Sequence, residues 1–246
     1  MTDSHYDGTG AHAAGGAAVD DGVAEPVPVL PKRLWMVFFQ PGDLFRGLAA
    51  RPVWFVTALL GAFMVALSIV LLPTDLFVDA ALSQMSPEAA AAARDVPAWL
   101  FKAQGVIAGP FMLAMLFVVS AVTYVIFVVI RGDRTTYRHH LSVMAHGVLI
   151  GAVGALATTP LKIASGNVQE TLSLADLVGF LPIPDGFLLA LLNAMELFGI
   201  WGALIAGFGL SIVGNRPKWG GTAAVMLVLV VVFASIAAAL QTAFGG

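Results

Sequence analysis

Five long apolar runs, each nearly free of charged residues, constrain this chain more than any other feature. They extend over about residues 53–72, 105–130, 141–159, 187–213 and 222–244. Each approaches the roughly 20 apolar residues that a helix needs to cross about 30 Å of hydrocarbon. Only 11% of the 246 residues are charged, whereas soluble domains carry about 25%. The sequence therefore predicts an all-α integral membrane protein, built as a five-transmembrane-helix bundle.

The regions before the first run predict two further parts of the chain. Residues 1–30, rich in Ala, Gly and Asp, are predicted to be a disordered cytoplasmic tail. Residues 31–52 alternate between apolar and basic stretches, which Pro41 and Gly42 interrupt. A short helix over about residues 44–50 is predicted to follow, with Asp43 as its N-cap. We expect this pre-span segment to lie in the membrane interface, or else to pack under the bundle. Residues 53–246 then form the membrane domain.

Prolines and caps predict the boundaries of the runs and the character of their loops. Pro73 and Pro160 should close the first and third runs, and Pro110 should kink the second. Two loops are each predicted to carry a short amphipathic helix. One begins at Ser86 and continues toward Arg94, and the other begins at Ser173.

The basic residues predict the orientation of the bundle in the membrane, because cytoplasmic loops carry an excess of Lys and Arg. Of the 12 basic residues, three lie in the loops on one side: Arg94, Lys102 and Lys162. The others lie in the N-terminal region and the remaining loops: Lys32, Arg33, Arg46, Arg51, Arg131, Arg134, Arg138, Arg216 and Lys218. This asymmetry predicts a cytoplasmic N-terminus and a C-terminus outside.

Glu196 is a carboxylate inside the fourth run, where a charge costs about 2.5–3.5 kcal/mol on insertion scales. Asn193 and Gly199 are three residues away on either side, so a continuous helix would place all three on one face. That face should point toward small residues of the third run, between Gly147 and Thr159. Glu196 could fix helix register as a buried carboxyl group, or it could bind a proton or cation in a transport path.

His146 is the histidine deepest in a run, and it is predicted to lie about 10 Å from Glu196 in depth. A relay between the two side chains would therefore need water. His139, His140 and His146 lack the i, i+4 spacing that usually brings ligands to one ion on a helix, so no metal site is predicted.

Enzymatic and nucleic-acid functions find no support in the sequence. The chain contains no cysteine, no GxSxG motif and no phosphate-binding glycine loop, so no catalytic residue and no cofactor is predicted. The net charge of −3 argues against a nucleic-acid partner. Arg131, Arg134 and Arg138 instead form a basic loop that is predicted to contact anionic lipids or partner proteins.

Small residues recur at four-residue spacing in the third and fourth runs, which allows close approach of helices. One ridge is Gly147, Gly151, Ala155 and Thr159, and the other is Gly199, Ala203, Gly207 and Ser211. Both ridges should lie inside the bundle, with homodimerisation as the alternative.

Several of these segments together resemble the bacterial branch of the Yip domain family, whose eukaryotic members interact with Ypt/Rab GTPases. The resemblance extends over about Leu34 to Phe244. The matching segments are Phe38–Pro52, Tyr137–His146, Thr159–Pro160, Asn193–Trp201 and Gly207–Leu210. Glu196 stands where the family more often has Asp. The resemblance implies a five-span bundle with a cytoplasmic N-terminus, without implying a GTPase partner for this chain.

These observations favour a non-enzymatic membrane protein, an organiser or adaptor that acts through contacts with lipids or other membrane proteins. The alternative is a small permease or ion-coupled transporter that uses Glu196, in which a polar cavity should reach this carboxylate from one side.

Overall fold

The computed structural model describes residues 28–83, 85–93 and 95–244, and regular structure within them is helical apart from an isolated bridge between Ser173 and Glu196. The helices are α1 (Leu30–Phe39), α2 (Pro41–Ala50), α3 (Phe55–Leu71), α4 (Thr74–Ser83), α5 (Pro87–Ala93), α6 (Ala98–Val106), α7 (Ala108–Tyr124), α8 (Tyr137–Ala157), α9 (Thr159–Ser165), α10 (Leu174–Leu177), α11 (Phe187–Ala194), α12 (Leu197–Val213) and α13 (Gly220–Phe244). A π-helical segment, Val125–Ile130, continues α7. The predicted all-α class is therefore correct for this part of the chain. Most of the predicted tail, residues 1–27, and Arg94 lie outside the described residues.

Three helical stretches are long and apolar enough to cross a membrane, among the described residues: Ala98–Ile130, Tyr137–Ser165 and Gly220–Ala243. A fourth candidate is the pair α3 and α4, which is bent by 87° at Pro73. The fourth predicted run, residues 187–213, is not the continuous helix that the sequence predicts. It is divided into α11 and α12, and α12 alone is 17 residues long.

Pro160 does not end the third run as predicted. It occupies the first turn of α9, where the missing N–H of proline breaks no hydrogen bond. The hydroxyl groups of Thr158 and Thr159 donate to the carbonyl oxygens of Gly154 and Ala155 at 3.0 and 3.1 Å. The helical stretch continues through Pro160 to Ser165.

Helix α8 is the centre of the bundle, because 12 of its 21 residues are buried. Helices α3 and α12 pack along it, and α2 and α7 add further contacts. The α8–α12 crossing is close: a Cβ atom on Gly147 would lie 2.9 Å from the carbonyl oxygen of Gly202 and equally near the Ala206 methyl group. The predicted small-residue ridges thus include residues that pack α8 against α12 within one chain.

The pre-span segment forms two helices instead of the single short helix predicted. Helix α2 begins at Pro41, and Gln40 occupies the N-cap position, so Asp43 lies in the first turn, paired with Arg46. Phe45 is fully buried beneath Gly209 of α12. Trp35 on α1 remains 57% exposed, so the segment packs on the bundle and still presents an aromatic surface.

Two groups of loops lie at opposite ends of α8. The basic end contains α1, α2 and the loops 131–136 and 214–219. An ion pair between Asp133 and Arg216 joins the two loops to each other. The acidic end contains α4, α5 and α10, together with the described residues that connect them to the neighbouring helices. Helix α5 there follows Ser86, whose hydroxyl oxygen accepts a hydrogen bond from the Ala89 N–H at 3.3 Å, and α10 follows Ser173.

Candidate functional site

Glu196 lies at the break between α11 and α12, in an extended conformation with φ −69° and ψ 138°. The chain segment at residues 172–174 replaces the missing helical hydrogen bonds. The N–H of Leu174 donates to the carbonyl oxygen of Met195 at 3.0 Å. The N–H of Leu197 donates to the carbonyl oxygen of Leu172 at 2.8 Å. The backbone on either side of Glu196 is thereby satisfied, which is the condition for unwound chain at membrane depth.

The helix break changes the predicted relation between Asn193, Glu196 and Gly199. They do not share one helical face, because α11 ends at Ala194 and α12 begins at Leu197. Asn193 and Glu196 nevertheless line the same polar cavity, whereas Gly199 lines an apolar cavity with Glu196.

The apolar cavity has a volume of about 420 Å³ and lies between α8, α12 and α13. Gly147 and Gly151 form part of its α8 wall, so Glu196 lines this cavity together with small residues of α8. Glu196 is the sole charged residue among those that line it in the described part of the chain. Cavities of about 300–1,000 Å³ with few polar groups are typical of small-molecule sites.

The polar cavity has a volume of about 350 Å³ and lies at the acidic end. Three carboxylates line this cavity, those of Glu170, Asp176 and Glu196. The remaining lining residues are mostly amides and hydroxyls: Asn167, Gln169, Thr171, Ser173, Asn193, Ala194 and Gln241. The sequence pattern does not associate Glu170 or Asp176 with Glu196, because no spacing rule connects them.

Two local interactions order this polar lining. Asp176 accepts hydrogen bonds from the Ser173 N–H at 2.6 Å and the Ser173 hydroxyl at 2.9 Å, which forms a capping box at the start of α10. The Asn167 side chain donates to Glu170 at 3.5 Å. The two ion pairs in the described part of the chain, Arg46–Asp43 and Arg216–Asp133, do not involve Glu196.

A third, smaller cavity of about 50 Å³ brings Lys162 next to Glu196. Lys162 is on α9, which exists because the third run continues beyond Pro160. The sequence used Lys162 only to predict orientation, and it offered no signal that this cation lies beside Glu196.

His146 lies in a separate hydrogen-bond network and lines none of these three cavities. Its Nδ1 lies 2.7 Å from the Ser142 carbonyl oxygen, and its Nε2 lies 3.3 Å from the Thr57 hydroxyl. Because a carbonyl oxygen only accepts, Nδ1 is assigned the proton and Thr57 donates to Nε2. His146 and Glu196 make no direct contact with each other in the structure.

Arg33 completes this network from α1, at a distance of 3.5 Å between its guanidinium and the Thr57 hydroxyl oxygen. The side chain is 8% exposed, and burial lowers the pKa of its guanidinium. Its Nε has no hydrogen-bond partner among the described residues. The sequence missed this contact, since no pattern links residues 33, 57 and 146.

The basic loop presents Arg131, Arg134 and Arg138 as exposed side chains. The loop is anchored to its surroundings. Asp133 pairs with Arg216, whose Nε donates to it at 3.0 Å, and the Arg131 guanidinium lies 5.3 Å from the Phe127 ring centre. The three arginines therefore form an exposed cationic surface on a loop that is anchored at Asp133 and Arg131.

No group of three or more His, Asp or Glu side chains is placed to hold a metal ion, within the residues that the structure describes. His139 hydrogen-bonds to the Ala49 carbonyl oxygen at 3.1 Å, and His140 to the hydroxyls of Thr123 and Thr135 at 3.1 and 3.0 Å. Together with His146, these side chains connect helices.

Comparison with known proteins agrees with the membrane character of the chain. It is 29% identical over 135 residues to the membrane protein YknW of Bacillus subtilis (strain 168). That alignment covers 54% of this chain and 57% of YknW, so it spans little more than half of the relative. No solved structure matches significantly. The sequence profile of the Yip1 domain matches residues 35–240, and the chain therefore belongs to the Yip1 domain family.

Proposed function

We propose that this Yip1 domain protein is a non-enzymatic organiser or adaptor of the inner membrane. It crosses the bilayer five times with a cytoplasmic N-terminus, and it acts through contacts with lipids or other membrane proteins. The observation that carries the proposal is the exposed cationic surface of Arg131, Arg134 and Arg138 on an anchored loop.

The position of this surface fits an interaction with the cytoplasmic leaflet. Basic loops are favoured on the cytoplasmic side, where anionic lipids attract each nearby Lys or Arg by about 1 kcal/mol. The Asp133–Arg216 pair joins the loop to the connection between α12 and α13. Because the loop is already held in place, binding there costs less conformational entropy than binding to a flexible segment.

The proposal is tested by replacing Arg131, Arg134 and Arg138 together with Gln. Affinity of the purified protein for dioctanoyl phosphatidylglycerol should fall at least about tenfold, since three of the attractive charges are removed. The matched control replaces the same residues with Lys, which retains the charge and should retain most of the affinity. Equal binding by the Gln variant and the wild type, together with unchanged co-purifying proteins, would contradict the adaptor function.

Ion-coupled transport is the second candidate, and the broken fourth run favours it. Helices interrupted near the middle of the membrane, with polar groups at the break, form the ion sites of many transporters. A polar cavity reaches Glu196 from the acidic end, as this alternative requires.

Transport is tested with the full chain in liposomes that contain the pH-sensitive dye pyranine. If Glu196 carries protons, an imposed membrane potential should drive an internal pH change, and Glu196→Gln should abolish it. Glu88→Gln, which removes an exposed carboxylate from α5, is the matched control. A wild-type signal no larger than that of empty liposomes would exclude proton transport.

A further inference from the structure

Two cavities of opposite character meet at the helix break. Ala194 and Glu196 line both the apolar cavity of about 420 Å³ and the polar cavity of about 350 Å³. A single ligand could therefore place an apolar part between α8, α12 and α13 and a polar part among the residues at the acidic end.

The charge of the polar cavity indicates which charge the polar part of the ligand should carry. Its lining contains the carboxylates of Glu170, Asp176 and Glu196, and no Lys, Arg or His among the described residues. Lys162 lies beside Glu196 in the adjoining small cavity, and the three carboxylates outnumber this one cation. No group of three carboxylates or histidines in the described chain is placed closely enough to hold a metal ion. Spread over a cavity of this size, the carboxylates suit an organic cation, whose charge is larger in radius and more weakly hydrated than that of a metal.

The apolar cavity has space for a hydrocarbon chain. Gly151 and Gly199 line it, and a Cβ atom at Gly151 would meet no other atom within 4 Å. A Cβ atom at Gly199 would meet only the Glu196 Cβ, at 3.9 Å. These two glycines therefore leave open volume that helix packing does not use, in contrast to Gly147 and Gly202.

We propose that the two cavities bind one amphiphile, with a cationic ammonium head group beside Glu196 and a single hydrocarbon chain between α8, α12 and α13. This site lies apart from the cationic surface at the basic end and has the opposite charge preference. The inference goes beyond both proposed functions, since neither anionic lipid contact nor proton movement requires such a ligand.

The experiment measures binding of radiolabelled dodecyltrimethylammonium to the full chain in a neutral maltoside detergent. Wild-type protein should show one saturable site. Glu196→Gln should weaken binding at least about tenfold, because the substitution keeps the shape of the side chain and removes its charge. Glu88→Gln should bind as the wild type does.

The hydrocarbon part is tested by filling the apolar cavity. Gly151→Leu should weaken binding by a similar factor, and Gly199→Leu provides a second variant if the first does not fold. Gly220→Leu is the matched control, because Gly220 also has no atom within 4 Å of an added Cβ and lies outside the cavity. Circular dichroism and size-exclusion chromatography report whether each variant is folded.

Four results would each overturn the proposal. These are wild-type affinity in Glu196→Gln, wild-type affinity in a folded cavity-filling variant, equally tight binding of dodecanoate, or equally tight binding of tetramethylammonium. The variant with Gln at residues 131, 134 and 138 should bind dodecyltrimethylammonium normally. If the adaptor function is disproved, binding of dodecyltrimethylammonium should therefore still be observed.

Discussion

Gly147 and Gly151 are one helical turn apart on α8, yet a methyl group would meet very different surroundings at the two positions. At Gly147 an added Cβ would lie 2.9 Å from the Gly202 carbonyl oxygen, whereas at Gly151 no atom lies within 4 Å. Gly147→Ala should destabilise the protein by about 1–3 kcal/mol, since two packed helices must separate.

Gly151→Ala is the matched substitution on the same helix. Alanine is favoured over glycine in a helix by about 0.5–1 kcal/mol, so this variant should be as stable as the wild type or slightly more stable. Unfolding in a titration with sodium dodecyl sulfate, followed by circular dichroism, measures both changes. Equal stability of the two variants would show that the α8–α12 crossing is less close than the structure indicates.

Thr57 connects three helices through its hydroxyl group, which contacts His146 on α8 and Arg33 on α1. Thr57→Val keeps the side-chain shape and leaves both buried partners without this contact. The free energy of unfolding should fall by about 1–2 kcal/mol, near the upper end for hydrogen bonds between membrane helices.

Ser68→Ala is the control for Thr57→Val, because Ser68 is also buried on α3 but donates to the Val65 carbonyl oxygen of its own helix at 2.7 Å. Loss of this hydrogen bond should lower the free energy of unfolding by less than about 0.5 kcal/mol, since the Val65 carbonyl oxygen belongs to the backbone hydrogen bonds of the same helix. The same unfolding titration applies. If Ser68→Ala were the more destabilising substitution, the network at His146 would contribute little to stability.

At the scale of helices, the sequence predicts the positions of apolar segments and fails at the fourth run. Ala194, Met195 and Leu197 favour helix, and neither Pro nor Gly marks the break. The break is stabilised by pairing with residues 172–174, and this tertiary contact overrides local preference. Glu196 could be identified as a charge within an apolar run, whereas its cavities depend on contacts that the sequence pattern does not encode.

The capping box at α10 holds this pairing segment in place, because Asp176 binds both the N–H and the hydroxyl of Ser173. Asp176→Ala should destabilise the cap by about 1 kcal/mol. The equilibrium constant for separation of residues 172–174 from the helix break should then rise about fivefold. Hydrogen exchange at the amides of Leu174 and Leu197 should accelerate by that factor.

Asp185→Asn is the control for this substitution, since Asp185 lies in the same loop and does not line the polar cavity. Exchange at Leu174 and Leu197 should keep its wild-type rate in this variant. Unchanged exchange in Asp176→Ala would mean that the segment stays paired with the helix break without its cap.

At the scale of the whole molecule, the number of crossings depends on how the bent α3–α4 pair and the broken fourth run are placed. Helix α12 has 17 residues and spans about 26 Å at 1.5 Å per residue, short of the roughly 30 Å hydrocarbon core. Helix α11 adds 8 residues on the other side of the break. The two helices together are long enough to cross, so we expect five crossings with the basic end in the cytoplasm.

The absence of cysteine from the chain makes this topology directly testable, because each introduced thiol is the sole labelling site. Single variants Arg134→Cys, Gln169→Cys, Lys218→Cys and Thr242→Cys place exposed thiols in successive loops and near the end of α13. A maleimide that does not cross membranes should label positions 169 and 242 in intact spheroplasts. It should label positions 134 and 218 only after permeabilisation, and the wild-type chain should remain unlabelled throughout. Labelling of 218 and 242 from the same side would show that α13 does not cross. Labelling of 169 and 218 from the same side would show instead that α11 and α12 enter and leave the membrane on one face, which would make Glu196 the tip of a re-entrant hairpin.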